Sequence, residues 1–325
     1  MNILKTLLIL VVFLGIIPLF AIFIFYRVYF NNIQDFVFLN ELNENLSDNN
    51  LSDGDAILKS NLSGQSPKII TFYNNIRFKS SLISYSISSD CNQRKLNASH
   101  NAFDIIQNKT ILEFYELNNN AEINVYCSEE VKELKGNYFV AGEGGPDFIV
   151  NTSKYNVIVN GTVLLYKNSG CDEPVVAIHE ILHALGFKHS LNKNSIMYAT
   201  SDCHQEITKE IIDEINYLYE DPALPDLTFI KLNARRKTVF LNFESEIKNI
   251  GLSNAENASL SIYSGNDFIK RYNLGDIDFG EGKIFKVSNV MFLHQSSNLT
   301  FVIDNENTIP EINEENNKVD LVLAD

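Results

Sequence analysis

The densest chemistry in the chain lies in one run, His179-Glu180-Ile181-Leu182-His183-Ala184-Leu185-Gly186-Phe187-Lys188-His189. On a helix, residues i and i+4 share a face, so the imidazoles of His179 and His183 point the same way. Glu180 stands one residue round that helix, within reach of a metal-held water without being a ligand itself. Gly186 tolerates the left-handed conformation that ends a helix and reverses the chain, which brings His189 back as a third nitrogen. Three protein ligands leave one position of a tetrahedral zinc ion open, the arrangement of a catalytic rather than a structural site. Such a set performs metal-assisted hydrolysis, with Glu180 as general base. His100, His204 and His294 have no partners at ligand spacing and read as solvated or structural.

A helix has to present these groups, and the pattern places its start near Asp172, with Pro174 in the first turn. Val175, Ile178, Leu182 and Leu185 form its expected buried stripe, away from His179 and His183. Upstream, Leu82–Ser88 alternates as a strand with one buried face, and Asn92–Asn108 reads as a helix burying Ala98, Ala102, Phe103 and Ile106. Ile111–Leu117 and Ala121–Cys127 are two more short strands. Phe148–Asn151 and Tyr155–Asn160 follow, with a turn expected at Asn160-Gly161 before Thr162–Tyr166. Ala141–Asp147 has the glycines and carboxylates of a calcium loop without regular ligand spacing, and reads first as a flexible acidic turn. Downstream, Thr208–Tyr219 is an amphipathic helix.

The histidine pattern, followed by Ser195-Ile196-Met197-Tyr198, resembles that of the metzincin zinc metallopeptidases. The serine after the third histidine (His189-Ser190), the eight-residue step from His189 to Met197 and Tyr198 directly after Met197 resemble the matrixin branch. The resemblance spans about Pro67–Glu220 and implies a catalytic domain built from a mixed sheet and helices. It implies one catalytic Zn2+ held by His179, His183 and His189, with Glu180 as the catalytic residue and a peptide or protein as substrate. It also implies that Met197 packs beneath the metal as the Met-turn, while Tyr198 stays outside the ligand set. An extended substrate would add to an edge strand, with Phe148–Asn151 and Tyr155–Val159 as the candidates. Matrixins often carry a prosegment cysteine that caps the zinc. No cysteine precedes Cys91, so that device is expected to be missing.

The four cysteines, Cys91, Cys127, Cys171 and Cys203, all fall in this region. An even count without metal-type spacing reads as two disulfides in an oxidising compartment. Three connectivities are open. The one carried forward joins Cys171 to Cys203 across the motif and Cys91 to Cys127, against a rival of free thiols in a reducing compartment. The uncharged run Thr6–Tyr26 is long enough to cross a bilayer as a helix, and no small-x-small cleavage site follows it. The expectation is a single-pass anchor with the N-terminus cytoplasmic and the catalytic body outside, the alternative being secretion after cleavage. A net charge of -15 and a pI near 4.8 argue against a nucleic-acid partner.

Asp221-Pro222-Ala223-Leu224-Pro225-Asp226 reads as a linker, and beyond it short β-type runs alternate with Asn, Gly and Asp turns. Leu227–Ile230, Thr238–Ile247, Ser259–Tyr263, Ile284–Ser288 and Asn298–Ile303 favour an all-β sandwich of about seven strands. Pro225-Asp226-Leu227, Lys248-Asn249-Ile250-Gly251 and Pro310-Glu311-Ile312-Asn313-Glu314-Glu315-Asn316-Asn317 resemble the CARDB module, an immunoglobulin-like domain of prokaryotic surface proteins. That implies an accessory module open to a surface partner rather than a second active site. The expected fold class is therefore α+β followed by a sandwich. Its parts are an anchor over 1–30, a polar stalk over 31–66, the peptidase-like domain over 67–220, the linker over 221–226 and the sandwich over 227–325. The function expected is a membrane-anchored zinc endopeptidase. The competing class is a surface adhesion or scaffold protein with a vestigial zinc site.

Overall fold

The computed structural model describes residues 71–133, 139–166, 174–200, 202–291 and 297–323. The expected anchor, the stalk, Cys171, Asp172 and His294 lie outside these residues. Among the described residues, no helix is long and apolar enough to cross a membrane.

The first half of the described chain runs β1 (Ile76–Phe78), β2 (Leu82–Ile87), α1 (Gln93–Lys109), β3 (Glu113–Glu116), β4 (Ile123–Cys127), and the short strands β5 (Lys132–Glu133) and β6 (Phe139–Val140). The long strands β7 (Gly142–Asn151) and β8 (Asn156–Leu165) follow, then α2 (Val175–Ala184) and α3 (Lys209–Leu218). Strand β8 is the spine of the sheet. β1 and β4 pair in parallel with successive halves of it, and β2 and β3 extend the sheet in parallel beyond β4. On its other side β8 carries β7, antiparallel, as the sheet's outer strand.

Helix α1 begins where Asn92 caps it: its side-chain oxygen accepts from Lys95 N at 3.0 Å. The helix buries Ala102, Phe103 and Ile106 in the core, with Phe103 stacked on Tyr85 of β2 at 3.9 Å, while Ala98 is only half-buried. The Cys91–Cys127 disulfide fastens the segment before α1 to the end of β4, across 36 residues of sequence. At the other end of the layer, Arg77 of β1 is 1% exposed. Its guanidinium donates to the carbonyls of Leu218 at 2.8 Å and Asp221 at 2.9 Å and lies 4.5 Å from the Tyr219 ring centre. It thereby satisfies carbonyls left open at the end of α3 and ties that end to the sheet.

The structure departs from the sequence pattern at several points. Asn160-Gly161 makes no turn: both residues lie inside the continuous strand β8, with Gly161 opposite Ile123 and Pro146. The glycine is needed for close approach instead, because a Cβ there would sit 3.0 Å from Gly145 O and 3.4 Å from the Ala184 side chain. Ala141–Asp147 is neither an acidic turn nor a calcium loop, since residues 142–147 belong to β7. Asp147 sits at the irregularity in the ladder between Pro146 and Phe148, where its carboxylate accepts from Thr162 Oγ1 at 2.7 Å. The strand Ile111–Leu117 shortens to Glu113–Glu116. Helix α2 starts at Val175, with Pro174 at the cap position. Nor is α2 two-faced: nearly every one of its side chains is buried, the histidines included, because β7 covers the side left open by the core.

Beyond residue 224 the chain forms β9 (Leu227–Lys237), β10 (Phe240–Asn249), β11 (Ala255–Ser264), β12 (Asp267–Ile277), β13 (Gly282–Met291), β14 (Asn298–Ile303) and β15 (Lys318–Val322). They make a three-stranded sheet, β13-β10-β9, and a four-stranded one, β12-β11-β14-β15, all antiparallel. Leu241, Phe243 and Ile247 of one sheet bury against Leu260, Ile262 and Phe301 of the other, with Phe243 edge-on to Phe301 at 5.3 Å. Strands β12 and β15 are additions to the sequence reading. Their charged, mostly exposed residues hide the period-two signal that marks half-buried strands.

Candidate metal centre

Helix α2 places His179 and His183 one turn apart, 8% and 5% exposed. The helix stops at Gly186, whose φ of +100° is open to glycine alone at little strain; a Cβ there would also press within 2.8 Å of Ile76 Cγ2. The reversed chain returns His189, half-buried, to the other two histidines. His183 Nε2 lies 3.0 Å from His179 Nε2 and 3.2 Å from His189 Nε2. Two nitrogens bound to one tetrahedral zinc at about 2.0–2.1 Å stand about 3.3 Å apart, so the three rings fit that ion.

The far side of each buried ring is also fixed. His179 Nδ1 is 2.6 Å from Ile196 O and His183 Nδ1 is 2.7 Å from Phe187 O. A carbonyl accepts only from the protonated nitrogen, so both rings carry Nδ1–H and turn a bare Nε2 inward. Burial pushes the His179 imidazole down to about 4, against the opposing pull of the Ile196 carbonyl, and holds His183 well below the usual histidine range. Both rings are therefore neutral at pH 7, the state a metal ligand needs.

The Ser195–Tyr198 segment is part of this support. Ile196 supplies the carbonyl to His179, and Met197 O accepts from Ser190 N, next to His189, at 2.6 Å. Met197 is 1% exposed within the core of the peptidase-like half, and Tyr198 is half-buried. Glu180, 5% exposed, lies against β7: a Cβ on Gly142 would fall 2.5 Å from its Cγ, and one on Gly144 would fall 2.8 Å from its carbonyl carbon. The sequence does not single out Gly142 and Gly144, because their run has the composition of a turn. Their i, i+2 spacing, which puts both on one face of a strand, was the available signal. Of the two candidate edge segments, Phe148–Asn151 lies on the outer strand β7, whereas Tyr155–Val159 enters β8, which has neighbours on both sides.

The remaining sequence candidates fall away from this centre. Cys91 and Cys127 are joined to each other, and Cys203 is also disulfide-bonded. His100 Nδ1 lies 3.2 Å from the Tyr85 hydroxyl, a structural contact, and His204 is an exposed ring beside Asp202. The three zinc-motif histidines are the group of metal-binding type found among the described residues.

Comparison with known proteins agrees with this geometry. Residues 77–220 match the family model described as Matrixin, and residues 224–320 match the model described as CARDB. No curated protein is significantly similar to the chain. Among solved structures, a CARDB domain from Pyrococcus furiosus in complex with di-metal ions is 21% identical, covering 31% of this chain and 90% of that one, with a TM-score of 0.27. A domain of a putative cell surface protein from Methanosarcina acetivorans is 17% identical, covering 31% of this chain and 91% of that one, with a TM-score of 0.28. Residues 77–220 are thus a matrixin segment, of the metallopeptidase type, and residues 224–320 are a CARDB segment.

Proposed function

We propose that the protein is a zinc endopeptidase whose catalytic ion is held by His179, His183 and His189 and whose general base is Glu180. The observation that carries this reading is the convergence of three imidazoles, with their ligand atoms within 4.8 Å of one another, beside a buried glutamate and an outer strand. When bound, the zinc supplies a Lewis acid that polarises a carbonyl and lowers the pKa of a coordinated water towards about 7.

The chain's own residues do the rest. The Ile196 and Phe187 carbonyls hold two of the rings in the tautomer that presents Nε2. Glu180 takes the proton of the attacking water and returns it to the departing amine. Strand β7, which among the described residues pairs with β8 alone, receives the substrate as a further strand, which aligns a peptide backbone over Glu180. Gly142 and Gly144 set that strand close enough to the helix for the alignment to be useful.

In this reading residues 1–30 anchor the chain and the described body lies outside the membrane. The Cys91–Cys127 disulfide supports an oxidising compartment. The CARDB segment is an accessory module at the cell surface. The test is cleavage of a mixed-sequence peptide library by the purified protein before and after zinc chelation. Cleavage at internal bonds, lost on chelation and restored by zinc, is expected. A zinc-loaded protein that cleaves no member would refute the reading, and N-terminal sequencing of the mature chain would separate an anchor from a removed signal.

A further inference from the structure

The turn that joins β7 to β8 is the tip of a long hairpin, a place where chains are ordinarily solvated and mobile. Here Thr152 is 0% exposed. Loops of the CARDB segment and the linker before it surround the tip. Thr152 Oγ1 donates to Ile250 O at 2.7 Å, and Lys248 Nζ donates to Ser153 Oγ at 2.6 Å. Lys154 Nζ lies 3.4 Å from the carboxylate of Asp226, which is itself 1% exposed. Beneath these polar contacts Tyr155 and Val157 bury against Leu252, flanked by Phe279 and Ile312. Gly280, at φ +80°, comes so near that a Cβ would sit 2.7 Å from Val150 Cγ1.

Ser153 has a φ of +87°, a strained conformation for a residue with a side chain. The surrounding contacts over-determine the tip and hold it there. Strand β7 is therefore fixed at two places. Its glycine half rests on Glu180 in α2, and its far half ends in a turn gripped by the second module.

We infer that the CARDB segment is a positioning element of the peptidase: by clasping the 151–154 turn it holds outer strand β7 in register for extended substrates. The inference rests on the peptidase reading above, because it assigns β7 as the strand on which substrate lies. A peptide that pairs along β7 gains about 3.3 Å of strand per residue, so long peptides use the clasped half and short ones do not. Loosening the clasp would thus raise KM for long peptides and leave short ones unaffected.

The test uses the full chain with Thr152→Val, Lys154→Met and Lys248→Ala, singly and together, and Phe301→Leu as a control that weakens the sandwich core away from the turn. Zinc content, KM and kcat would be measured for peptides of about four and about ten residues, alongside hydrogen exchange of residues 142–151. The combined variant should raise KM for the long peptide roughly tenfold, with kcat on the short peptide unchanged and faster exchange in β7. Phe301→Leu should change neither peptide's KM. Unchanged long-peptide KM with exchange accelerated, or an equal rise in the control, would overturn the positioning role. Unchanged exchange would overturn the clasp itself. If the wild type cleaves nothing, the peptidase reading fails, and the exchange arm still decides whether the module holds β7.

Discussion

Gly144 lies directly against the backbone of Glu180: a Cβ at position 144 would stand 2.8 Å from the Glu180 carbonyl carbon and nearer still to its oxygen. Backbone cannot swing aside as a flexible side chain can, so Gly144→Ala must push β7 off the helix. The next glycine, Gly145, has nothing within 4 Å of its would-be Cβ among the described residues. Gly144→Ala should therefore cut kcat/KM at least about tenfold and destabilise the fold by roughly 1–3 kcal/mol, with zinc still bound. Gly145→Ala should be near neutral in both. Comparing the two by peptide hydrolysis and thermal melting checks the claim, and equal behaviour would disprove it.

The Cys91–Cys127 bridge closes a loop of 36 residues that contains all of α1. On the chain-entropy account, removing it should lower the stability of the peptidase half by about 3–4 kcal/mol. Denaturant unfolding of the Cys91→Ser, Cys127→Ser double variant measures this. The three-histidine centre lies on α2 and the loop after it, so metal stoichiometry should be unaltered at low denaturant.

Glu311 supplies a pH dependence in the CARDB half. Burial pushes its carboxyl up to about 7 from an ordinary 4.5, despite hydrogen bonds from Leu227 N and from Asn317 Nδ2. Between those two values the folded protein holds a proton that the unfolded chain has lost. Its stabilising contribution is full below about pH 4.5 and declines as pH rises through about 7, by an amount of order 2 kcal/mol. Glu311→Gln should flatten this slope, since an amide does not titrate, and Asn317 Oδ1, without a hydrogen-bond partner among the described residues, can turn to accept from the new side chain. Melting temperatures from pH 4 to pH 8 decide it. A slope that persists in the variant would assign the effect elsewhere.

The convergence of the three imidazoles was legible because it depends on helix period and on one glycine: the i, i+4 pair and Gly186 dictate it locally. The helix α1 and three members of its buried face, Ala102, Phe103 and Ile106, were legible for the same reason, whereas the role of Asn92 as its cap was not read from the sequence. Strand β7 was not. Its GEGGPD start has the composition of a turn, and only the approach of α2 explains why glycine is required there. Gly161 misled in the same way, marking a close contact rather than a reversal. The clasp on the 151–154 turn was invisible because it joins residues about a hundred positions apart, Thr152 to Ile250 among them. Its members, Lys154, Asp226 and Lys248, look in sequence like ordinary surface charge.

Glu180 is the base in the proposed hydrolysis, and one variant separates that role from metal binding. Glu180→Gln keeps the shape of the side chain, leaves all three histidines in place and removes the base. Zinc content and peptide turnover would be measured on the same preparation. One zinc per chain is expected, as in the wild type, with kcat lower by at least about a hundredfold. Wild-type turnover in the zinc-loaded variant would contradict the role of Glu180 as base.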